Sequence, residues 1–249
     1  MANSLDTSFA TDLKYQLEYG GLRFLIGLVR LVPLDTACDI SAFFWRVLGK
    51  RNRRHKRALA NLERAFPEKT PEERERIAVA AWDNLGRVMV ETMNIDRIIK
   101  DPSRLHVTNG HWIGRYKDKM GPALIVTMHM GNWEIAMWPV TLSGVRPAGF
   151  NRSVKNPYVD RYLRNQRQAL YPGGLFGRGR TAGDDETQKT ARLIMDYVRQ
   201  GGRLGFNSDL YDRNGIEVPF FGHLAKSMPI AAMIARRVGA RIWIGRCIR

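Results

Sequence analysis

The sequence predicts an α/β fold: a mostly parallel sheet with flanking helices, preceded by a helical N-terminal region. Three observations carry this. The first hundred residues read as one helix after another. From Ala123 onward, short apolar runs alternate with helical segments of ten or more residues, the pattern of βαβ units. And 249 residues that are 44% hydrophobic supply one large core or two small ones, which excludes a disordered polar chain.

The first helical signal is Leu22–Leu34, continued by Ile40–Leu48. Arg23 and Arg30 share one helical face, and Phe24, Leu25, Leu28, Leu31 and Val32 cover the other. Such a helix suits the headgroup layer of a membrane, although an ordinary core helix followed by a solvated basic one has the same pattern. No run of about 18 uncharged apolar residues exists, so a clean transmembrane helix is not encoded. Met1–Tyr19 lacks the basic and apolar regions of a signal peptide. Arg53–Phe66 carries Leu59, Leu62 and Phe66 at helical spacing. Thr70-Pro71-Glu72-Glu73 is a capping box. The helix it opens aligns Ile77, Ala81, Trp82, Leu85, Val88 and Met89.

Ala123–Met128 is a buried-strand signal. Asn132 then caps a helix over Trp133–Leu142, and Arg146–Phe150 is a second strand. Asn156-Pro157 opens a helix to Leu170, and another runs Thr187–Gln200 up to Gly201-Gly202. Arg203–Asn207 is a strand, Met228–Val238 a helix and Ala240–Gly245 a strand. An N-terminal anchoring region, 1–50, and an α/β domain, 51–249, are expected. A last strand with no element after it suggests a shortened C-terminus.

Net charge is +16, which calls for an anionic partner. Residues 41–66 and 144–180 each carry +7, and the other 186 residues only +2. The first block adjoins the apolar segment and suits anionic lipid. The second suits a phosphorylated ligand or an acidic protein. The near-neutral remainder, with no helix-turn-helix, zinc or RNA-binding signature, argues against nucleic acid. Two cysteines, Cys38 and Cys247, make no disulfide framework and fit a reducing compartment.

The strongest chemical signal is His129-Met130-Gly131-Asn132-Trp133-Glu134. A histidine ends a buried strand, where open α/β sheets form ligand crevices. A carboxylate five positions on could orient it as a general base; the same pattern would also arise from a buried histidine, an N-cap and a helix-dipole acid. No G-x-S-x-G elbow is present and neither cysteine has a histidine near it, so the activated nucleophile is a substrate hydroxyl. Arg161, Arg164 and Arg167 stripe one helix near Asn151-Arg152, and arginine forks grip phosphate. Asn207-Ser208-Asp209 ends a strand in an acidic loop, and Val218-Pro219-Phe220-Phe221-Gly222 could wall an acyl chain or plug a core. Gly174-x4-Gly179-Arg180-Thr181 lacks the lysine and the preceding strand of a phosphate loop. His106 and His111 have no further ligands beside them, so no metal is assigned.

Taken together, these motifs resemble the bacterial lipid A biosynthesis acyltransferases, the lauroyl/myristoyl late acyltransferases related to the His-x4-Asp glycerolipid enzymes. The resemblance runs from about Leu22 to Arg249. It rests on Arg57-Ala58-Leu59-Ala60-Asn61-Leu62 with Ala65-Phe66-Pro67, Trp82-Asp83-Asn84-Leu85-Gly86-Arg87, His129-x4-Glu134 with Gly131-Asn132-Trp133, Asn151-Arg152, Asn156-Pro157, Asp209 and Val218–Gly222. It implies transfer of a fatty acyl group from an acyl carrier protein thioester to a hydroxyl of a lipid A precursor, at the cytoplasmic face of the inner membrane. It implies catalysis by His129 and Glu134, and substrate binding by Asn132, Arg152, Arg164, Arg167 and Asp209, with neither metal nor nucleotide. The alternatives are an acyltransferase acting on a lysophospholipid or another glycolipid, and a basic membrane-binding protein without catalysis.

Overall fold

A computed structural model describes residues 9–119, 121–178 and 184–249. Four helices come first: α1 (Phe9–Arg30), α2 (Leu34–Gly49), α3 (Arg53–Ala65) and α4 (Pro71–Thr92). Pro33 breaks the first from the second, and Asn52 caps α3 by accepting from the Arg54 amide. The capping box opens α4 as expected: the Thr70 hydroxyl accepts from Glu73 N and the Glu73 carboxylate accepts from Thr70 N. The stripe expected on α4 is displaced. Ile77, Ala81 and Met89 are exposed, while Ala78, Gly86, Val88 and Val90 are buried. The reason is backbone contact with α2. A Cβ on Gly86 would lie 2.9 Å from Ala42 Cα and 2.9 Å from Ser41 O, so this face of α4 is the one that fits.

Short α5 (Ile95–Ile99) and α6 (His111–Lys117) lead into the sheet. Its strands are β1 (Ala123–Thr127), β2 (Pro147–Arg152), β3 (Leu175–Arg178), β4 (Arg203–Asn207) and, later in the chain, β7 (Arg241–Ile244). They are all parallel, in the order β3-β2-β4-β1-β7. The crossovers carry α7 (Trp138–Leu142), α8 (Pro157–Arg167), α9 (Asp184–Arg199) and α10 (Ile230–Val238). Alternation along β1 splits the core. Leu124 and Val126 join Ile194, Val198, Phe206 and Ile234 beneath α9 and α10. Ile125 joins Met137, Val140 and Val145 on the other face. A third cluster, Leu34, Cys38, Val90, Ile95, Ile135 and Leu170, ties the helical layer to the sheet domain.

Two parts of the β structure went unread in the sequence, as did the short helices α5 and α6. One is β3, a four-residue strand after Pro172; Gly179-Arg180-Thr181 of the rejected phosphate-loop pattern lies outside the described residues. The other is an antiparallel hairpin, β5 (Tyr211–Phe220) and β6 (His223–Ser227). Its turn, Phe221-Gly222, has φ of +49° and +73°, the two positive values of a type I′ hairpin. Phe221 holds a conformation that favours Asn or Gly, and its ring packs against Phe66, which caps the end of α3, at 5.1 Å. Val-Pro-Phe-Phe-Gly is therefore an exposed hairpin end and not a core plug.

The N-terminal helices also turn a different face inward from the one the charge pattern suggests. Arg30 bonds Asp96 at 2.5 Å, and the Arg23 guanidinium lies over the Tyr162 ring. The apolar side, with Leu17, Phe24, Leu28 and Leu31, is exposed. Among the described residues no helix is long and apolar enough to cross a membrane.

Candidate active site

The site forms where β1 and β4 end. These neighbouring strands pair in register, Thr127 opposite Asn207. Each chain then continues two residues, so His129 and Asp209 arrive side by side although 80 positions separate them. The Asp209 carboxylate accepts twice from His129, through Oδ2 from the backbone N–H at 2.8 Å and through Oδ1 from ring Nδ1 at 2.8 Å.

The tautomer follows from the surrounding bonds. The Thr127 hydroxyl donates to Asn207 Oδ1, which turns the Asn207 amide nitrogen toward His129 Nε2 at 3.3 Å. An NH2 group can only donate, so Nε2 is the acceptor and Nδ1 carries the proton. The Trp133 ring stands edge-on to the imidazole at 5.2 Å. The His129 side chain keeps 36% exposure, so the ring is within reach of a substrate. An imidazole with Nδ1–H on a carboxylate and an accepting Nε2 is the arrangement of a general base.

Glu134, expected to orient His129, bonds elsewhere. Gly131 takes φ of +55° and turns the chain, and Glu134 lies on a helical turn directed at the end of α8. There its two oxygens accept from Arg167 Nε at 2.6 Å and Nη2 at 2.8 Å. No hydrogen bond joins Glu134 to His129. The pair is largely buried. Burial is the largest single influence and would lower the Arg167 pKa, but the hydrogen bonds to Glu134 and the charge of Glu134, with smaller contributions from Tyr171 and Asp160, together hold the guanidinium above its usual value. The Nε and Nη2 side of the Arg167 guanidinium is thus taken by Glu134, and the side chain is only 19% exposed.

The other expected residues sort as follows. Asn132 is 4% exposed, and both ends of its amide are engaged: Oδ1 accepts from Glu134 N and Nδ2 donates to Glu91 of α4 at 2.7 Å. It therefore begins no long helix; a 3-10 turn, Ile135–Met137, precedes five-residue α7 because Pro139 interrupts the backbone pattern. Arg164 is held by Asp160 Oδ2, Leu175 O and Ser153 Oγ, and Arg161 is exposed. Arg152 ends β2, at the same edge of the sheet as His129; its side chain lies outside the described ones. Asn207 and Asn84 stand in motifs that the sequence shows but were given no place at the site, and Glu91 stands in none, since no local spacing links them to His129. A cavity of about 370 Å³ lined by Lys117, Arg146, Tyr197 and Arg203 opens where the strands begin, on the far side from this chemistry.

Comparison with curated proteins gives no match at a significant level. The family model for the bacterial lipid A biosynthesis acyltransferase matches residues 7–249, and the chain belongs to that family.

Proposed function

We propose that this acyltransferase moves a fatty acyl group from an acyl carrier protein thioester to a hydroxyl on a 3-hydroxyacyl chain of a lipid A precursor. The observation that carries the reading is the His129 geometry, with Nδ1 on Asp209 and Nε2 beside the Asn207 amide at the open end of β1. The acceptor hydroxyl gives its proton to Nε2 as its oxygen attacks the thioester carbonyl. Asp209 stabilises the resulting imidazolium. The oxyanion needs a donor beside Nε2, a role that suits the Asn207 amide. Collapse of the tetrahedral intermediate breaks the carbon–sulfur bond, and the proton on Nε2 passes to the departing thiolate. The thioester is already activated, so the reaction calls for neither metal nor nucleotide. Glu134 and Arg167 act as a buried brace beneath the turn, and Arg152 is the arginine assigned to substrate phosphate.

The same reading puts the protein on the cytoplasmic face of the inner membrane. Exposed Leu17, Phe24 and Leu28 of α1, Leu31 just after it, and Phe43, Phe44 and Leu48 of α2 support it, with Arg51, Arg53, Arg54, Lys56 and Arg57 exposed at the start of α3. The decisive experiment is acyl transfer from lauroyl- or myristoyl-acyl carrier protein to a lipid A precursor. His129→Ala is expected to lower kcat by about 10²–10⁴-fold or more with the fold retained. A folded His129→Ala protein of full activity would overturn the mechanism. Transfer to lysophospholipid but not to the precursor would reassign the acceptor.

A further inference from the structure

The turn that carries His129 is gripped from outside the sheet. Asn84 and Glu91 lie seven residues apart on α4, hence on one face of it. Asn84 Nδ2 donates to the Gly131 carbonyl at 2.9 Å. Glu91 Oε2 accepts from Asn132 Nδ2 at 2.7 Å. Arg249 bridges the two: its Nε donates to Asn84 Oδ1 at 3.1 Å, and its Nη1 and Nη2 donate to the two Glu91 oxygens at 2.7 and 2.8 Å. The segment after β7 also lies against Gly131, where a Cβ would come 2.5 Å from Cys247 O. The Glu91 side chain is only 13% exposed, and its carboxylate is fully engaged.

We infer that Glu91 is a positioning residue for acyl transfer, and that with Asn84 and Arg249 it clamps residues 131–132 so that His129 meets Asp209 and Asn207 in one orientation. Asp209 and Asn207 constrain the ring from the sheet side, whereas the clamp constrains the backbone two and three residues further on. Without it the Gly131 turn is free to shift, and His129 loses alignment although its own partners remain. Misplacement of about 1 Å can cost 10²-fold in rate. The inference rests on His129 being the base, yet one of its tests does not depend on activity.

Glu91→Ala is expected to lower kcat by about 10- to 100-fold, with KM for donor and acceptor within about two-fold. Glu91→Gln keeps an oxygen for Asn132 and is expected to recover most of the loss. In ¹⁵N spectra of the imidazole without substrate, the wild type is expected to show the Nδ1–H tautomer of His129. Glu91→Ala is expected to show a mixture. Val198→Ala, a cavity variant in the core beneath α9, serves as the stability control and should leave kcat unchanged. Should Glu91→Ala fail to fold, Asn84→Ala removes the bonds to Gly131 O and Arg249 Nε, leaves the Glu91–Asn132 bond in place, and is expected to show the same two effects. Wild-type kcat with an unaltered His129 spectrum in a folded clamp variant would overturn the inference. So would a kcat loss that Val198→Ala reproduces. An active His129→Ala would instead refute the base assignment, and the imidazole spectrum of Glu91→Ala would still decide whether the clamp exists.

Discussion

Asp209 does for His129 what the nearer Glu134 was expected to do. Its two oxygens serve the same residue, one on the backbone N–H and one on Nδ1. That geometry makes a sharp prediction. In Asp209→Asn the backbone N–H keeps the amide oxygen, so the NH2 group faces Nδ1 and forces the proton onto Nε2. A base protonated at its working nitrogen is inactive, and kcat is expected to fall by about 10³–10⁴-fold while the fold persists. Steady-state kinetics on a variant with native circular dichroism would check it; a loss under ten-fold would show that Asp209 does not set the tautomer. His-x4-Glu was legible as a motif, but its pairing was not. Five positions of loop do not determine a side chain's direction, whereas strand register, invisible to local reading, does.

At the scale of elements, the α2–α4 contact decides which residues of α4 face inward. The apolar pattern alone favoured a stripe through Ile77 and Met89. The backbone contact at Gly86 selects the face with Ala78, Gly86 and Val90, and so directs Asn84 and Glu91 at the active-site turn. Gly86→Val would drive methyl groups into Ala42 and Ser41. A destabilisation of about 1–3 kcal/mol is expected, read as a lower urea midpoint at unchanged m-value. Because the same contact aims the clamp, residual activity of the folded fraction should fall as well. The central strands β1 and β4 were readable because buried parallel strands are apolar on both faces, and β1 is buried along its whole length. The β5–β6 hairpin was not, because its turn places Phe where Asn or Gly is the usual signal.

Across the whole molecule, the helices split the work between two surfaces. The inner side of α1 and α2 joins the core through Ile26, Leu34, Ala37 and Cys38, while Phe24, Leu31, Phe43 and Phe44 are turned out. Burial holds the Cys38 thiol up at about 11, so it packs as an inert apolar group. On the membrane reading, vesicles containing phosphatidylglycerol should bind the protein, and pure phosphatidylcholine should bind it less. A double substitution, Phe43→Ser with Phe44→Ser, should weaken binding by flotation assay without altering the melting temperature. Equal binding by that variant would place the contact on another surface.

The sequence by itself determined the α/β class, the strand that ends at His129, the capped helix α4 and the family motifs. All of these are local: periodicity, turn chemistry and residue order along the chain. Only the tertiary structure decided the partners. Asp209 reached His129 through in-register strands, Arg167 took Glu134 across a bend at Gly131, and α1 turned its arginines toward Asp96 and Tyr162. The physical reason is the same in each case. A charged side chain is satisfied by whichever partner the packed backbone brings within hydrogen-bonding distance, and that distance is set by contacts between residues far apart in the chain.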